Sequence, residues 1–264
     1  MNIWRVCGVR CLAVVLVLSR ALPKSWRTVA LATVVMAVGS GTVSACASIQ
    51  PLSRPPAFTA PNAGEGIIPL PAPLHDGVTS VERALLQRRS VRDYEDASLS
   101  LAELGQLLWA AQGITQGSGL RTTPSAGALY PLEVYAVVGA VDGLAAGVYH
   151  YSPQEHGLTL VASGDRRAEL RQAALGQAAV QDAPAVIVLA GVYERTAAKY
   201  GARAQRYVHM EVGAAAQNVA LQAVPLGLGA VYIGAFGDDR ISEVLRLRSD
   251  EKPLTLLPVG RPAR

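Results

Sequence analysis

The segment PSAGALYPLEVY, residues 124–135, passes from small residues to a strand-like pattern within a few positions. Proline, serine, alanine, glycine and alanine come first, and the β-favouring run EVYAVVG (133–139) follows. Small side chains let backbone amides come close to a flat ligand. This segment therefore predicts a ligand-binding loop directly before a strand.

The stretch RRSVRDY, residues 88–94, concentrates cations in a chain that is only 17% charged. Arginine binds phosphate through forked, charge-assisted hydrogen bonds, and Ser90 adds a hydroxyl donor. The same cations also suit the C-terminal end of a helix, where they face the negative end of its dipole. Taken alone, the stretch is compatible with a phosphate site and with an ordinary helix end.

A third segment, GLGAVYIGAF (227–236), supplies a glycine-bearing strand end. A planar cofactor that carries a phosphate would account for all three segments together. No G-x-G-x-x-G opens a helix and no G-x-x-x-x-G-K-[ST] occurs, so neither a Rossmann nor a P-loop site is predicted.

The charge balance separates a basic N-terminal stretch from a near-neutral body. The formal charge of the 264 residues is +4, but residues 1–46 carry five basic residues and no acid. Removing these five from 24 leaves 19 basic residues against 20 acidic ones. The body therefore gives no support for nucleic-acid binding.

Cysteine and histidine usage excludes several kinds of site. Cys7, Cys11 and Cys46 all lie in the N-terminal stretch, so the body cannot form an internal disulfide, a thiol nucleophile or a cysteine metal site. The four histidines show no ligand-like spacing, and no metal site is predicted.

The N-terminus, residues 1–46, has the layout of an export signal. Its apolar runs, 11–19 and 29–38, are shorter than the roughly 18–20 residues that span a bilayer. The second run has a basic flank and leads to VSAC (43–46), which resembles a bacterial lipoprotein box with Cys46 as the acylated residue. We expect lipid anchoring in the cell envelope. A plain signal peptide or uncleaved anchor, and a cytoplasmic enzyme with a misassigned start, remain open alternatives.

The body is predicted to be α+β and to span 79–264, after a proline-rich linker at 47–78 that forms an extended tether. Two helices begin with capping-box patterns, Thr79 with Glu82 and Ser100 with Glu103. A long helix is expected from about Ala202 to Val224. Further strands are expected at 147–152, 184–192, 229–236 and 253–260, and a short helix at 238–247.

The long helix has an unusual middle. Gly213 to Ala216 leave almost no side-chain bulk for a full turn, so another backbone can approach closely. The pattern suits the buried interface helix of a dimer and equally the central helix of a monomer core.

The order of these motifs resembles the nitroreductase-like flavoprotein superfamily, and within it the SagB-type, azoline-dehydrogenase-like branch. RRSVRDY, PSAGALYPLEVY, the helical run that contains AAQN, LGLGAVYIGAF and LLPVGRP follow one another over about residues 79–262. The resemblance implies a nitroreductase-like FMN fold, in which a central mixed or antiparallel sheet is flanked by helices. It also implies an intertwined homodimer with FMN at the interface.

The resemblance further implies which residues contact FMN. Arg88, Ser90 and Arg92 would hold the phosphate and ribityl chain, with Arg89 as a helper. The flavin would be lined by Pro124, Ser125, Ala126 and Gly127, often from the partner subunit, and by Ile233, Gly234 and Ala235. A C-terminal basic residue, Arg261, would return to the phosphate.

Lys199 and Tyr200 correspond to a Lys-Tyr pair that acts on the substrate in the azoline-dehydrogenase branch. The resemblance implies hydride transfer through flavin N5, either to oxidise azoline-like rings, as in a modified peptide, or to reduce small acceptors with NAD(P)H. An ordinary solvated lysine and packed tyrosine before a helix would look the same. A membrane-tethered, non-catalytic binding lipoprotein with a decayed fold is the alternative function.

Overall fold

The structure is a computed structural model that describes residues 66–117 and 119–263. The predicted signal segment, the acylation candidate Cys46 and most of the proline-rich linker lie outside these residues. Within the described ranges, no helix has the length and apolar character needed to cross a membrane.

A seven-stranded sheet, in which every neighbouring pair is antiparallel, forms the centre of the body. Its spatial order is β1-β6-β5-β3-β7-β9-β8, and β2 pairs separately with β4. The strands are β1 (Ile68–Pro69), β2 (Leu99–Ser100), β3 (Leu132–Val138), β4 (Val141–Asp142), β5 (Gly147–Ser152), β6 (Gly157–Ser163), β7 (Ala185–Gly191), β8 (Gly229–Ala230) and β9 (Lys252–Gly260).

Helices cover both faces of this sheet. They are α1 (Val81–Gln87), α2 (Leu101–Gln112), α3 (Arg167–Ala173), α4 (Ala178–Asp182), α5 (Tyr193–Tyr200), α6 (Ala204–Ala223) and α7 (Asp238–Leu245). Successive strand residues point to opposite faces, so Val134 and Ala136 of β3 join the core under α2 and α6, whereas Tyr135 and Val137 join the core under α3 and α7. The prediction of an α+β body with a helix-flanked antiparallel sheet is confirmed.

The N-caps of α1 and α2 can be compared with the two predicted capping boxes. Ser100 and Glu103 form the predicted capping box, and α2 ends at Gly113 as expected. In α1 the cap is Ser80 rather than Thr79, because the Ser80 Oγ accepts the Arg83 N–H at 3.2 Å.

One other expectation needs correction, and one helix was missed. The strand predicted at 229–236 is regular only at Gly229–Ala230. Beyond it, the Val231 N–H donates to the Pro258 carbonyl of β9 at 3.4 Å, and Ile233 forms an isolated bridge with Leu256. The sequence patterns did not predict α5, at whose end Lys199 and Tyr200 lie, and α6 begins shortly after them at Ala204. Gly201, with φ +53°, interrupts the helical backbone between α5 and α6. Glycine suits this position because other residues rarely adopt a positive φ.

The end of the linker takes part in the body. Ile68 and Leu70 are buried in the core, and β1 pairs with β6. Farther on, the Gln106 Oε1 accepts the Leu74 N–H at 2.8 Å, and its Nε2 donates to the Leu74 carbonyl at 3.0 Å. The domain boundaries stay predictions, but ordered contacts with the sheet and α2 begin before residue 79.

Candidate active site

The arginine-rich segment lies beside the glycine-bearing segment. Ser90 bridges Ala230, and the Val91 N–H donates to the Ala230 carbonyl at 3.1 Å. A Cβ at Gly229 would collide with the Val91 side chain, so glycine is what permits this close approach. Two of the predicted segments, 140 or so residues apart in the chain, therefore meet at the edge of the sheet.

The three arginines have different surroundings. The Arg89 Nη1 donates to the Leu86 carbonyl at 3.0 Å and to the Arg88 carbonyl at 2.7 Å, so its guanidinium closes the end of α1. In the part of the chain that the structure describes, no acid forms an ion pair with Arg88 or Arg92. These two guanidiniums are thus available to an anion.

The charge of Arg88 acts on the third segment, GLGAVYIGAF (227–236). Burial raises the pKa of Tyr232, and the charge of Arg88 opposes that rise. Beyond Tyr232, the Ile233 side chain is buried, while Gly234 and Ala235 are exposed and nothing lies within 4 Å of the position of a Cβ on Gly234. A cationic end followed by an open strip of small residues fits a phosphate joined to a flat ring.

The loop 124–127 leads into a strained backbone at 128–130. A single 3-10 turn spans Ala126–Ala128, and φ is positive at Gly127 (+64°), Ala128 (+55°) and Tyr130 (+47°). The Ser125 Oγ accepts the Tyr130 N–H at 2.9 Å and closes the loop on itself. Such conformations are held only where surrounding contacts fix them, and they are common at functional sites.

The Lys-Tyr pair lies against this loop. A Cβ on Gly127 would be 2.9 Å from the Tyr200 Oη and 3.1 Å from the Lys199 Nζ. The Tyr200 ring also packs edge-on against Tyr207, with ring centroids 4.9 Å apart. The structure therefore brings the predicted catalytic pair and the predicted flavin-lining loop together.

Arg261 is engaged by an acid. Its Nη2 lies 2.8 Å from the Glu103 Oε1, so the guanidinium ties the C-terminal segment to the capping residue of α2. The Arg261 carbonyl also accepts the Glu95 N–H at 2.9 Å. Phosphate binding by Arg261 stays a prediction, and a phosphate would have to compete with Glu103.

Helix α6 contacts both the glycine-bearing segment 227–236 and the loop 124–127. Its Gln217 Oε1 accepts the Tyr232 hydroxyl at 2.7 Å. Its Asn218 Nδ2 donates to the Thr123 Oγ1 at 3.0 Å, just before the loop 124–127. Farther towards the N-terminus of α6, the Glu211 Oε1 accepts the Ala126 N–H at 2.8 Å.

The sequence prediction missed Glu211. It is the only acid between Glu194 and Asp238, and a carboxylate in a helix of small residues is a signal that could have been noticed. Its direction could not have been found, because Glu211 and Ala126 are 85 residues apart.

The comparison with protein families matches residues 85–261 to the Nitroreductase family. The protein MJ1384 of Methanocaldococcus jannaschii, whose name gives a nitroreductase assignment, is 49% identical over 69% of this chain and 90% of its own length. The microcin B17-processing protein McbC of Escherichia coli is 31% identical in an alignment that covers 50% of this chain and 50% of its own length.

Solved structures agree with this relationship. A protein from Ralstonia eutropha JMP134, described as a nitroreductase, shares 28% identity with a TM-score of 0.67 over 81% of this chain and 98% of its own. One from Anabaena variabilis, with the same description, shares 35% identity with a TM-score of 0.63 over 69% of this chain. The match spans only 38% of the Anabaena chain. The chain belongs to the nitroreductase family and is an oxidoreductase of that fold.

Proposed function

We propose that this oxidoreductase uses FMN, with Arg88, Ser90 and Arg92 at the phosphate. The observation that carries the proposal is that Arg88 and Arg92, which have no acidic partner among the described residues, flank Ser90, and Ser90 bridges Ala230 in the segment that continues to the open positions Gly234 and Ala235. Two forked cations and one hydroxyl suit a phosphate monoester. Small residues leave room for an isoalloxazine ring against the backbone.

FMN, when bound, would supply two-electron hydride chemistry through N5. The protein's own groups would then position the substrate and move protons. The Lys199 Nζ and Tyr200 Oη lie next to each other across Gly127, and each can donate or accept a proton at a substrate atom. The loop 124–127 would line the ring and would keep these two groups at a fixed distance from it.

The substrate class that we favour is an azoline-like ring, as in the SagB-type branch. The Lys-Tyr pair against the loop and the similarity to McbC support it. In this reaction one of the two side chains would accept the proton lost from a ring carbon.

Reduction of small acceptors such as nitro compounds or quinones, with NAD(P)H as electron donor, is the second candidate. The greater similarity to MJ1384 supports it.

We also propose that the protein acts as a homodimer with FMN at the interface. On α6, Gly213 is exposed with nothing within 4 Å of a Cβ, and Met210, one turn earlier, is 65% exposed. An open glycine beside an exposed apolar side chain suits the close approach of a second helix. The loop 124–127 of one subunit would then complete the flavin site of the other.

Comparing FMN with riboflavin tests the phosphate site, because riboflavin has the ring but no phosphate. We expect the full-length protein to bind FMN at least tenfold more tightly than riboflavin. Arg88→Ala combined with Arg92→Ala should remove this preference and leave riboflavin binding unchanged. Arg240→Ala, which removes an exposed arginine on α7, is the matched control and should keep the preference. A wild-type protein that binds neither flavin would refute the proposal.

Anchoring in the cell envelope through Cys46 also stays a proposal, supported by the sequence VSAC (43–46). Fractionation of cells that carry the wild type or Cys46→Ala tests it. Membrane retention of the wild type alone would support it, whereas identical distribution of both would contradict it.

A further inference from the structure

Glu211 is a buried carboxylate of α6 that binds the backbone of the loop 124–127. Its residue is 6% exposed, and its Oε1 accepts the Ala126 N–H at 2.8 Å. Its Oε2 has no hydrogen-bond partner among the described residues. Burial raises the pKa of Glu211, while the Ala126 N–H and the Ser125 hydroxyl oppose the rise. A carboxylate that costs free energy to bury, yet has only this one backbone partner, calls for a role at the loop.

The loop that it touches leads into a backbone conformation that surrounding contacts have to hold. Three of the five residues 126–130 have positive φ, and two of these, Ala128 and Tyr130, are not glycine. Two other contacts act on the far end of the loop, where the Arg195 Nη1 donates to the Tyr130 carbonyl at 3.1 Å and Arg121 stacks 4.4 Å from the Tyr130 ring centroid. At the near end, Glu211 binds the Ala126 N–H from another element, α6, in addition to the Ser125 Oγ contact within the loop.

We infer that Glu211 is a positioning residue, which fixes the Ala126 amide and thereby holds Gly127 against Lys199 and Tyr200. The inference rests on the proposed function for its catalytic meaning, since the loop is there taken to line the flavin. Removal of the carboxylate leaves the Ala126 N–H without its partner and lets the loop relax from its left-handed conformation. The Lys-Tyr pair then loses the surface that sets its distance from the ring.

Two variants separate positioning from a general effect on folding. Glu211→Gln keeps a carbonyl oxygen for the Ala126 N–H, so it should preserve the loop. Glu211→Ala removes that acceptor. The matched control is Gln106→Ala, because Gln106 is also buried on a helix and also accepts a backbone N–H, that of Leu74, at 2.8 Å. It should lower stability without changing the loop.

The first measurement is hydrogen exchange of the full-length protein without added flavin. We expect amides of 126–130 to exchange at least tenfold faster in Glu211→Ala, and at the wild-type rate in Glu211→Gln and Gln106→Ala. Equal exchange of this segment in the wild type and Glu211→Ala would overturn the inference. So would a uniform increase across the whole body, because that would indicate a purely structural role.

The second measurement is FMN affinity. We expect the dissociation constant to rise about tenfold in Glu211→Ala and less than threefold in Glu211→Gln. Unchanged affinity and unchanged turnover in Glu211→Ala, in a protein whose wild type binds FMN, would refute the functional part of the inference. If the wild type itself binds no FMN, the proposed function fails, while the exchange measurement still decides whether Glu211 holds the loop.

Discussion

Replacement of Gly127 by alanine tests whether the loop 124–127 and the Lys-Tyr pair work as one unit. Gly127 has φ +64°, where an L-residue costs about 1–2 kcal/mol. For a body of this size, 1 kcal/mol shifts Tm by about 2–4 °C. The backbone alone therefore predicts a Tm about 2–8 °C lower, which leaves the protein folded at 25 °C.

The new methyl group adds a second, local effect. It would lie 2.9 Å from the Tyr200 Oη and 3.1 Å from the Lys199 Nζ, so the ends of both side chains must move by a few tenths of an ångström or more. Misplacement of reacting groups by about 1 Å can cost about 100-fold in rate. We expect turnover to fall about 10–100-fold, with FMN binding weakened by less than that.

Gly164→Ala is the matched control. Gly164 has φ +87° but nothing within 4 Å of its Cβ position, so it carries the backbone cost without the contact. The assay combines thermal unfolding with the NADPH-driven reduction of a nitroaromatic acceptor and the oxidation of an azoline-containing peptide. If Gly127→Ala and Gly164→Ala lower Tm equally but only Gly127→Ala loses turnover, the result would support a catalytic role for the contact of the loop with Lys199 and Tyr200. Full turnover in Gly127→Ala would show that the contact with Lys199 and Tyr200 has no part in catalysis.

Three other predictions concern the fold, its pH dependence and the subunit contact. Ser100→Ala removes the cap of α2, and we expect a loss of about 1 kcal/mol in urea unfolding, whereas an unchanged midpoint would contradict the capping role. Burial would raise the pKa of Glu133, but hydrogen bonds from His150 and Arg195 outweigh it and hold this pKa at about 2, against 4.5 for an ordinary glutamate. The ionised form of Glu133 therefore stabilises the fold above pH 4.5. The free energy of unfolding of the wild type should exceed that of Glu133→Gln by at most about 3 kcal/mol. This difference should shrink as the pH falls and vanish near pH 2. A constant difference in unfolding free energy across this range would refute the assignment. Gly213→Leu should leave the unfolding of the subunit unchanged but raise the dimer dissociation constant about tenfold or more, as measured by light scattering. An unaffected dimer would place the interface elsewhere.

Local patterns predicted the elements whose signal lies within a few residues. The capping box at Ser100 and Glu103, the stop at Gly113 and the apolar run of β7 depend on neighbours in the chain, and the structure confirms them. The patterns failed for the glycine-bearing segment 229–236. Its apolar residues suggested a continuous strand, but regular pairing with β9 ends at Ala230, and only the Val231 bond to Pro258 and the isolated bridge at Ile233 continue it.

The assignment to the nitroreductase family came from the order of short motifs, which is a property of the sequence. The same sequence left the roles within each motif undecided. Arg88 and Arg89 are adjacent and chemically identical, yet the backbone carbonyls at the end of α1 bind the Arg89 guanidinium and not that of Arg88. Arg261 was expected at a phosphate, and the fold places it beside Glu103.

The sequence by itself therefore determined the class of the fold, its central strands and the segments that form the site. Only the tertiary structure decided which of these segments touch. Gly127 contacts Lys199 and Tyr200, and the Ala126 N–H binds Glu211 across 85 residues of chain. Contacts of this kind depend on the packing of a buried helix against a strained turn, and no periodicity of apolar residues encodes the direction of a single buried carboxylate.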